Sequence, residues 1–309
     1  MTGGSEALGP SSGRTLIVLN PSAGQEDPAR VRRLLGGAFA VRGASFDMAE
    51  TAGAGDAERF ARDGVREGYR AVAAVGGDGT VAEVIAGLAG SDTPLAIIPQ
   101  GTGNQMACNL GIPRDVEGAV EVAVRGSPLP IDLGRLDDGR YFALMAGAGW
   151  DAEVMAVATR ELKDRWGFGA YLYAGLRRAL TPPFALFRIT ADDQELEVAA
   201  ATVLVANVGH LVSPFFPVEF SVGPRVSFQD GLLDVCIFAP RSFSDVAAVL
   251  WRVARGRYVG DDRMIFLQAG RVRIESDTPV VTQVDGEPLG ETPLSVRAVR
   301  AGVRVLVPA

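Results

Sequence analysis

The sequence predicts an α/β N-terminal domain on an open, mostly parallel sheet, followed by a second, mainly antiparallel β-sandwich domain. Three observations carry that expectation. Apolar runs of strand length alternate with helical periodicities through the first half of the chain, the pattern of parallel pairing through crossover helices. From Ile131 onward short strands follow one another closely, the rhythm of an antiparallel sandwich. And 309 residues exceed what one core usually serves. The boundary is placed at Ser127-Pro128-Leu129-Pro130. It separates a polar lead-in (1–13) and an α/β domain (14–129) from a β-rich domain (130–309) whose last strand is free to return to the first.

In order, Thr15–Leu19 is apolar and β-branched and reads as a strand, and Asn20-Pro21-Ser22-Ala23-Gly24 as a turn. Pro28–Phe39 has helical spacing, with Val31, Leu34, Leu35 and Phe39 on one face. Ala44–Met48 is a second strand, Asp56–Glu67 a polar-faced helix, Arg70–Val75 a third strand, Val81–Leu88 a helix and Leu95–Ile98 a fourth strand. Three of these strands end in a glycine-bearing loop, at 20–24, 76–80 and 99–104, and open α/β sheets bind ligands at strand carboxyl ends. Beyond the boundary, Ile131–Arg135 and Tyr141–Ala146 flank the turn Asp137-Asp138-Gly139. Asp151–Trp166 and Phe168–Leu180 read as helices. Strands are expected at Phe184–Thr190, Glu195–Ala206, Leu232–Phe238, Met264–Leu267, Arg271–Glu275, Val280–Val284, Leu294–Val299 and Val303–Val307.

Composition removes several classes. With 30 Lys+Arg against 37 Asp+Glu the net charge is −7, which disfavours nucleic acid as a partner. Two separated cysteines, Cys108 and Cys236, rule out a CxxC zinc or redox site, and a reducing, cytoplasmic compartment fits them best. The single histidine, His210, has no GxSxG or HxxxH around it. Val198–Val218 is uncharged over its interior, yet Asn207, Pro214 and Pro217 make it a buried strand and loop and not a transmembrane segment.

The strongest local signal is Gly76-Gly77-Asp78-Gly79-Thr80 between a strand and a helix. Glycines let the backbone approach a ligand, and amides at a helix start favour an anion. Thr80 and Glu83 have capping-box spacing. Asp78 beside phosphates would repel them unless a divalent cation lay between or the carboxylate met a hydroxyl, which points to magnesium with a nucleotide. The loop Pro99-Gln100-Gly101-Thr102-Gly103-Asn104 repeats the strand-to-helix pattern. Val284-Asp285-Gly286-Glu287 places two carboxylates around a turn; were it only a hairpin turn, Asn would serve there as well as Asp.

Taken in order with Asn20–Gly24, these segments resemble the diacylglycerol kinase catalytic-domain family of bacterial lipid kinases, sphingosine kinases and ceramide kinases. The resemblance extends through Asn109-Leu110-Gly111-Ile112-Pro113, Ile131-Asp132-Leu133-Gly134, Gly147–Ala152, Lys163 with Gly167 and Tyr171, and Asp230–Val235. It covers roughly residues 14–307.

The resemblance implies a two-domain kinase with its active site in the interdomain cleft, using ATP and Mg2+. Gly76, Gly77, Asp78, Gly79 and Thr80 would hold the phosphates. Asn20, Ser22, Gly24 and Thr51 would line the nucleotide side, with Thr102 and Asn104 at the border. Asp285 would be the catalytic base with Glu287 beside it, and Asp132 and Lys163 match polar residues of the family's site. Asp78, Glu287 and Asp230 are the metal candidates. Gln105 replaces a family Asp and marks the acceptor side; Met145 and Ser227 are further departures. The expected acceptor is a diacylglycerol-like lipid at a membrane surface, met peripherally by a cytoplasmic protein, with a homodimer left open. A sphingosine- or ceramide-type kinase, an NAD kinase-like enzyme for a soluble acceptor, and a non-catalytic nucleotide or lipid sensor are the alternatives. Phe215, Phe216, Phe220 and the arginines Arg177, Arg178, Arg252, Arg255 and Arg257 are candidate membrane contacts, weighed against core packing and solvated helix faces.

Overall fold

The computed structural model describes residues 13–24, 26–149, 184–212, 219–221, 223–224, 226–258 and 260–309. It divides into unit 1, Met1–Ile131 with Gly302–Ala309, and unit 2, Asp132–Ala301. The two helices expected between residues 151 and 180, and with them Lys163, Arg177 and Arg178, lie outside the described residues, as do Phe215 and Phe216.

Unit 1 is the α/β unit. Its strands are β1 (Thr15–Leu19), β2 (Phe46–Glu50), β3 (Ala71–Gly76) and β4 (Leu95–Pro99). They run in the order β2-β1-β3-β4, all parallel, with Thr15 level with both Phe46 and Ala71, and Gly76 level with Pro99. β1, β3 and β4 are buried at every residue, as their uninterrupted apolar sequences require; β2 carries Asp47 and Glu50 and takes the edge. Crossovers are made by α1 (Pro28–Val41), α2 (Asp56–Arg66) and α3 (Asp78–Leu88), followed by α4 (Gln105–Asn109) and α5 (Val116–Arg125). Since β2 lies on one side of β1 and β3 on the other, the order reverses between β1 and β3. An open sheet offers a ligand crevice at such a switch point.

Two local readings change. α3 begins at Asp78, with Gly77 as its N-cap, so Thr80 is already helical and the expected capping box is absent. Glu83 instead accepts the backbone N–H groups of Gly55 (3.0 Å) and Ala57 (3.1 Å), closing the start of α2, which has no side-chain cap of its own.

Unit 2 is antiparallel throughout its described strand pairs. One sheet contains β7 (Met145–Gly149), β10 (Thr202–Ala206), β13 (Leu233–Phe238), β14 (Met264–Ala269), β16 (Val281–Val284) and β17 (Glu287–Glu291), in the order β14-β13-β10-β7-β16-β17. A second group pairs β8 (Ala185–Ala191) with β9 (Gln194–Ala200) and β15 (Arg271–Ser276), and β15 with the start of β18 (Leu294–Val307). β5 (Ser127–Leu136) pairs with the short β6 (Tyr141–Phe142). Small strands β11 (His210–Val212) and β12 (Glu219–Ser221) pair with each other, and α6 (Phe243–Ala254) packs Val246 and Val249 inward. The shared core draws Val203, Val205, Val235 and Ile237 from one sheet and Phe187, Ile189, Val272, Ile274 and Leu294 from the other, joined by Phe142 of β6.

The single strand expected at Glu195–Ala206 is two. β9 alternates exposed and covered residues, whereas β10 is buried throughout, and the change at Ala200–Ala201 carries the chain from one sheet to the other. Conversely, Leu294–Val299 and Val303–Val307 form one strand, β18, whose last residues enter unit 1, with Val305 parallel to Leu95. No helix of the described residues is long and apolar enough to cross a membrane.

Candidate active site

In unit 1 the three glycine-bearing loops meet at the carboxyl ends of β1, β3 and β4. Asn20 N–H donates to the Val75 carbonyl (2.9 Å) and Gln100 N–H to the Gly76 carbonyl (2.8 Å), continuing the ladder past the strand ends. Side chains lock the same region. Asn20 Nδ2 donates to Thr80 Oγ1 at 3.0 Å, and its Oδ1 accepts the Ser22 N–H at 3.0 Å. Thr51, following β2, donates its N–H to the Leu19 carbonyl.

Glycine is required here by contact. A Cβ on Gly101 would lie 2.5 Å from the Gly77 Cα, and one on Gly24 (φ +77°) would overlap the Gln100 carbonyl oxygen. Gly79 differs: a Cβ there would meet nothing within 4 Å, so its bare backbone faces open space at the first turn of α3. Amides in such a place suit the oxygens of a phosphate.

Asn104 holds the third loop. It adopts φ 51°, its Oδ1 accepts Gly101 N–H (2.9 Å) and its Nδ2 donates to the Gly101 carbonyl (2.6 Å). Thr102 at the tip is exposed. Asp78 reaches across: its Oδ1 accepts Gln105 N–H at 2.7 Å, and its Oδ2 lies 2.8 Å from where a Gly103 Cβ would be. Burial pushes the Asp78 carboxyl above its ordinary pKa, opposed by the backbone amides of Gln105, Met106 and Asn104. The Gln105 backbone is tied on both sides, its carbonyl accepting from Asn109 Nδ2 at 2.9 Å.

In unit 2 Asp285 sits at φ 46° on the turn between β16 and β17. Its Oδ2 accepts Ala143 N–H (3.0 Å), and its Oδ1 accepts those of Leu144 (3.0 Å) and Met145 (2.9 Å). This is why the strand expected at Tyr141–Ala146 breaks into β6 and β7: three successive amides turn to a carboxylate and leave the ladder. Glu287, two residues on, is exposed. Asp132 is buried, with Oδ1 accepting Ala301 N–H (2.7 Å) and Oδ2 accepting Gly231 N–H (2.6 Å). The buried Asn207 joins these two regions, donating from Nδ2 to the Asp132 carbonyl (2.8 Å) and the Ala143 carbonyl (2.9 Å). Asp230 is exposed and accepts its own turn's Leu232 N–H (3.0 Å) and Gln268 Nε2 (3.3 Å).

Residues 14–136 match the family described as Diacylglycerol kinase catalytic domain, and residues 145–307 match the YegS C-terminal NAD kinase beta sandwich-like domain. A Mycobacterium tuberculosis protein named diacylglycerol kinase is 30% identical over 308 residues, 96% of each chain. The chain belongs to the diacylglycerol kinase catalytic-domain family. A Bacillus subtilis diacylglycerol kinase is 29% identical over 284 residues, 91% of each chain. An uncharacterised Synechocystis protein is 31% identical over 246 residues, and the match spans 78% of this chain and 56% of that one. A crystal structure of a Bacillus anthracis protein provisionally described as a diacylglycerol kinase has a TM-score of 0.76 at 25% identity, covering 96% of this chain and 97% of that one. Membership makes the chain a kinase of a family that uses ATP.

Within this kinase, the structure gathers Asn20, Ser22, Gly24, Gly76, Gly77, Asp78, Gly79, Thr80, Thr102, Asn104 and Gln105 on adjoining loops of unit 1. Asp132, Asp285, Glu287 and Asp230 belong to unit 2, and Lys163 lies outside the described residues. Of the magnesium candidates, Asp78 belongs to unit 1, and Asp230 and the exposed Glu287 belong to unit 2. Asp78 points its carboxylate at backbone amides, Asp230 is engaged by an amide and a glutamine, and in neither unit do three described His, Cys, Asp or Glu side chains gather as a metal site. Magnesium with a nucleotide is usually held by one or two carboxylates together with phosphate oxygens and water, so Asp78 or Glu287 would serve it without a cluster of protein ligands. Sequence reading placed Gln100 and Gly101 in the third loop without giving either a role, and it did not find the part played by Asn207. For Asn207 the available signal was a lone amide inside an apolar run, where a buried polar group implies partners.

Proposed function

We propose that this protein transfers the γ-phosphoryl group of ATP to the hydroxyl of a diacylglycerol-like lipid. The observation that carries the reading is the closure of three glycine-bearing loops on one another at the switch point of unit 1, with the Gly79 backbone left bare. Phosphoryl transfer is mostly positioning and charge stabilisation, so a rigid amide cradle is the machinery it needs. The amides at the start of α3 take phosphate oxygens. Asn20, Ser22, Gly24 and Thr51 bound the nucleotide, and Asn104 keeps the third loop in register. Gln105 lies toward the acceptor.

In the reaction the acceptor oxygen attacks the γ-phosphorus, the bond to the β-phosphate oxygen breaks, and ADP leaves. Asp285 takes the hydroxyl proton, and Glu287 contributes a second carboxylate. The named diacylglycerol kinases that match over almost the whole chain support the acceptor class. The deciding experiment is radiolabelled ATP with a panel of diacylglycerol, ceramide, sphingosine and NAD. Label in phosphatidic acid is the expected result. Label only in a sphingolipid or in NADP moves the acceptor, and label in none removes the kinase reading.

A further inference from the structure

α6 presents a face at odds with its surroundings. Val246 and Val249 pack inward, so the outward stripe runs Ser244, Ala247, Trp251, Arg255, all exposed. An outward position on a surface helix is ordinarily polar or small. Trp251 is the largest side chain on that stripe and 51% exposed. Two cations flank it: the Arg255 guanidinium lies 4.9 Å from the ring centroid and that of Arg257 5.7 Å.

The local charges sort themselves. Between Arg241 and Arg263 the chain has five arginines and three aspartates, although the whole protein carries −7. Asp261 pairs with Arg263 (2.7 Å) and Arg252 (3.1 Å), and Asp245 pairs with Arg263 (2.9 Å). Arg255 and Arg257 have no carboxylate partner among the described residues, and Asp262 is the remaining exposed acid of the segment. An exposed indole between two uncompensated guanidiniums combines an apolar plate with phosphate-seeking donors.

We propose that the Trp251–Arg257 end of α6 is a docking surface for an anionic lipid bilayer, which rests on the reading above that the acceptor is a membrane lipid. The indole sits at headgroup depth, where amphipathic rings are favoured, and the guanidiniums pair with lipid phosphates. Charge complementarity also orients the molecule: a chain of net −7 is repelled by an anionic surface except where it shows a cationic face.

The test is co-sedimentation of the full chain, without ATP or acceptor, on vesicles of phosphatidylcholine alone or with roughly a third phosphatidylglycerol, at about 0.1 M salt. Binding to the anionic vesicles only is expected. Each arginine near such a surface is worth about fivefold, so Arg255→Gln with Arg257→Gln lowers partitioning about 25-fold. Trp251→Ala lowers it about tenfold. Circular dichroism checks that each variant is folded; these side chains are on the surface.

Equal binding to neutral vesicles, or unchanged partitioning of the folded variants, overturns the proposal. So does self-association that Trp251→Ala abolishes, which makes the patch a contact with a second copy. A kinase assay on monodisperse short-chain diacylglycerol separates the two readings. Variants that lose vesicles but keep that activity support this surface, whereas intact docking with no phosphorylation of any acceptor defeats the kinase reading alone.

Discussion

Asp285→Asn is informative because it perturbs chemistry and architecture by different amounts. In the wild type, the carboxylate receives three backbone N–H groups, from Ala143, Leu144 and Met145, all at 2.9–3.0 Å. Asn tolerates the φ of 46°, so the backbone is not strained by the change. Its amide oxygen can keep the Leu144 and Met145 bonds. Its NH2 must then face the Ala143 N–H, two donors opposed. One partly buried donor left unpaired costs about 1–3 kcal/mol, and the two surviving bonds lose their charge assistance. The expected destabilisation is therefore about 2 kcal/mol, or roughly 4–8 °C in the melting temperature of a unit this size. Were this only a hairpin turn, Asn would suit it as well as Asp; the three amides give the carboxylate a structural task besides. Calorimetry at pH 7.5, with single-turnover phosphorylation measured well below the melt, reads both quantities. If Asp285 is also the base, kcat falls about 10²–10⁴-fold in the folded variant. A melting temperature within a degree of wild type would refute the structural part, and unchanged turnover would refute the base.

Asp78→Asn tests whether that carboxylate latches a loop or binds metal. Burial raises its pKa, so ionised Asp78 opposes folding above that pKa and the opposition disappears as pH falls through it. Asn, which still accepts the Gln105 N–H, should match or exceed wild-type melting temperature at pH 7.5, with the gap closing in acid; a large loss of stability, or loss of magnesium dependence, would refute the latch. Gly101→Ala and Gly79→Ala should diverge. The first forces a 2.5 Å contact with the Gly77 Cα and should cost about 1–3 kcal/mol by denaturant unfolding. The second meets nothing within 4 Å and should keep or gain stability while raising the KM for ATP, so equal effects on folding would contradict the packing described. Glu83→Ala removes the acceptor of the Gly55 and Ala57 amides and should lower stability by about 1 kcal/mol in urea titrations; no change would mean that water replaces both bonds.

The legible part of this protein is what short-range pattern dictates. Uninterrupted apolar runs announced β1, β3 and β4, and the glycines between them announced the loops at their ends. What escaped depends on partners far away in the chain. The break at Ala143–Leu144 is invisible locally because its cause, Asp285, lies about 140 residues on. Asp78 reads as a metal ligand, and its second tie, to the Gln105 amide, depends on a residue 27 positions on. Thr80 and Glu83 have the spacing of a cap, but spacing does not say that the helix has already begun at Asp78 or that Glu83 serves α2. The strand order that makes 20–24 and 76–80 a switch point is likewise a fact of topology, with no residue to announce it.

The return of β18 to unit 1 sets the timetable on which the protein can be born. As the chain leaves the ribosome, β4 is made early, but its neighbour, the segment around Val305, comes only after unit 2. Throughout synthesis of unit 2, the nascent α/β unit therefore carries an open parallel edge, with the surfaces that Val303, Val305 and Leu306 will cover still bare. A fragment ending at the Ser127–Pro130 run would carry that vulnerability permanently. A permuted chain that placed residues 302–309 directly after α5 would close the edge within the first half of translation. In such a chain the glycine-bearing loops would rest on a finished sheet before the second unit existed.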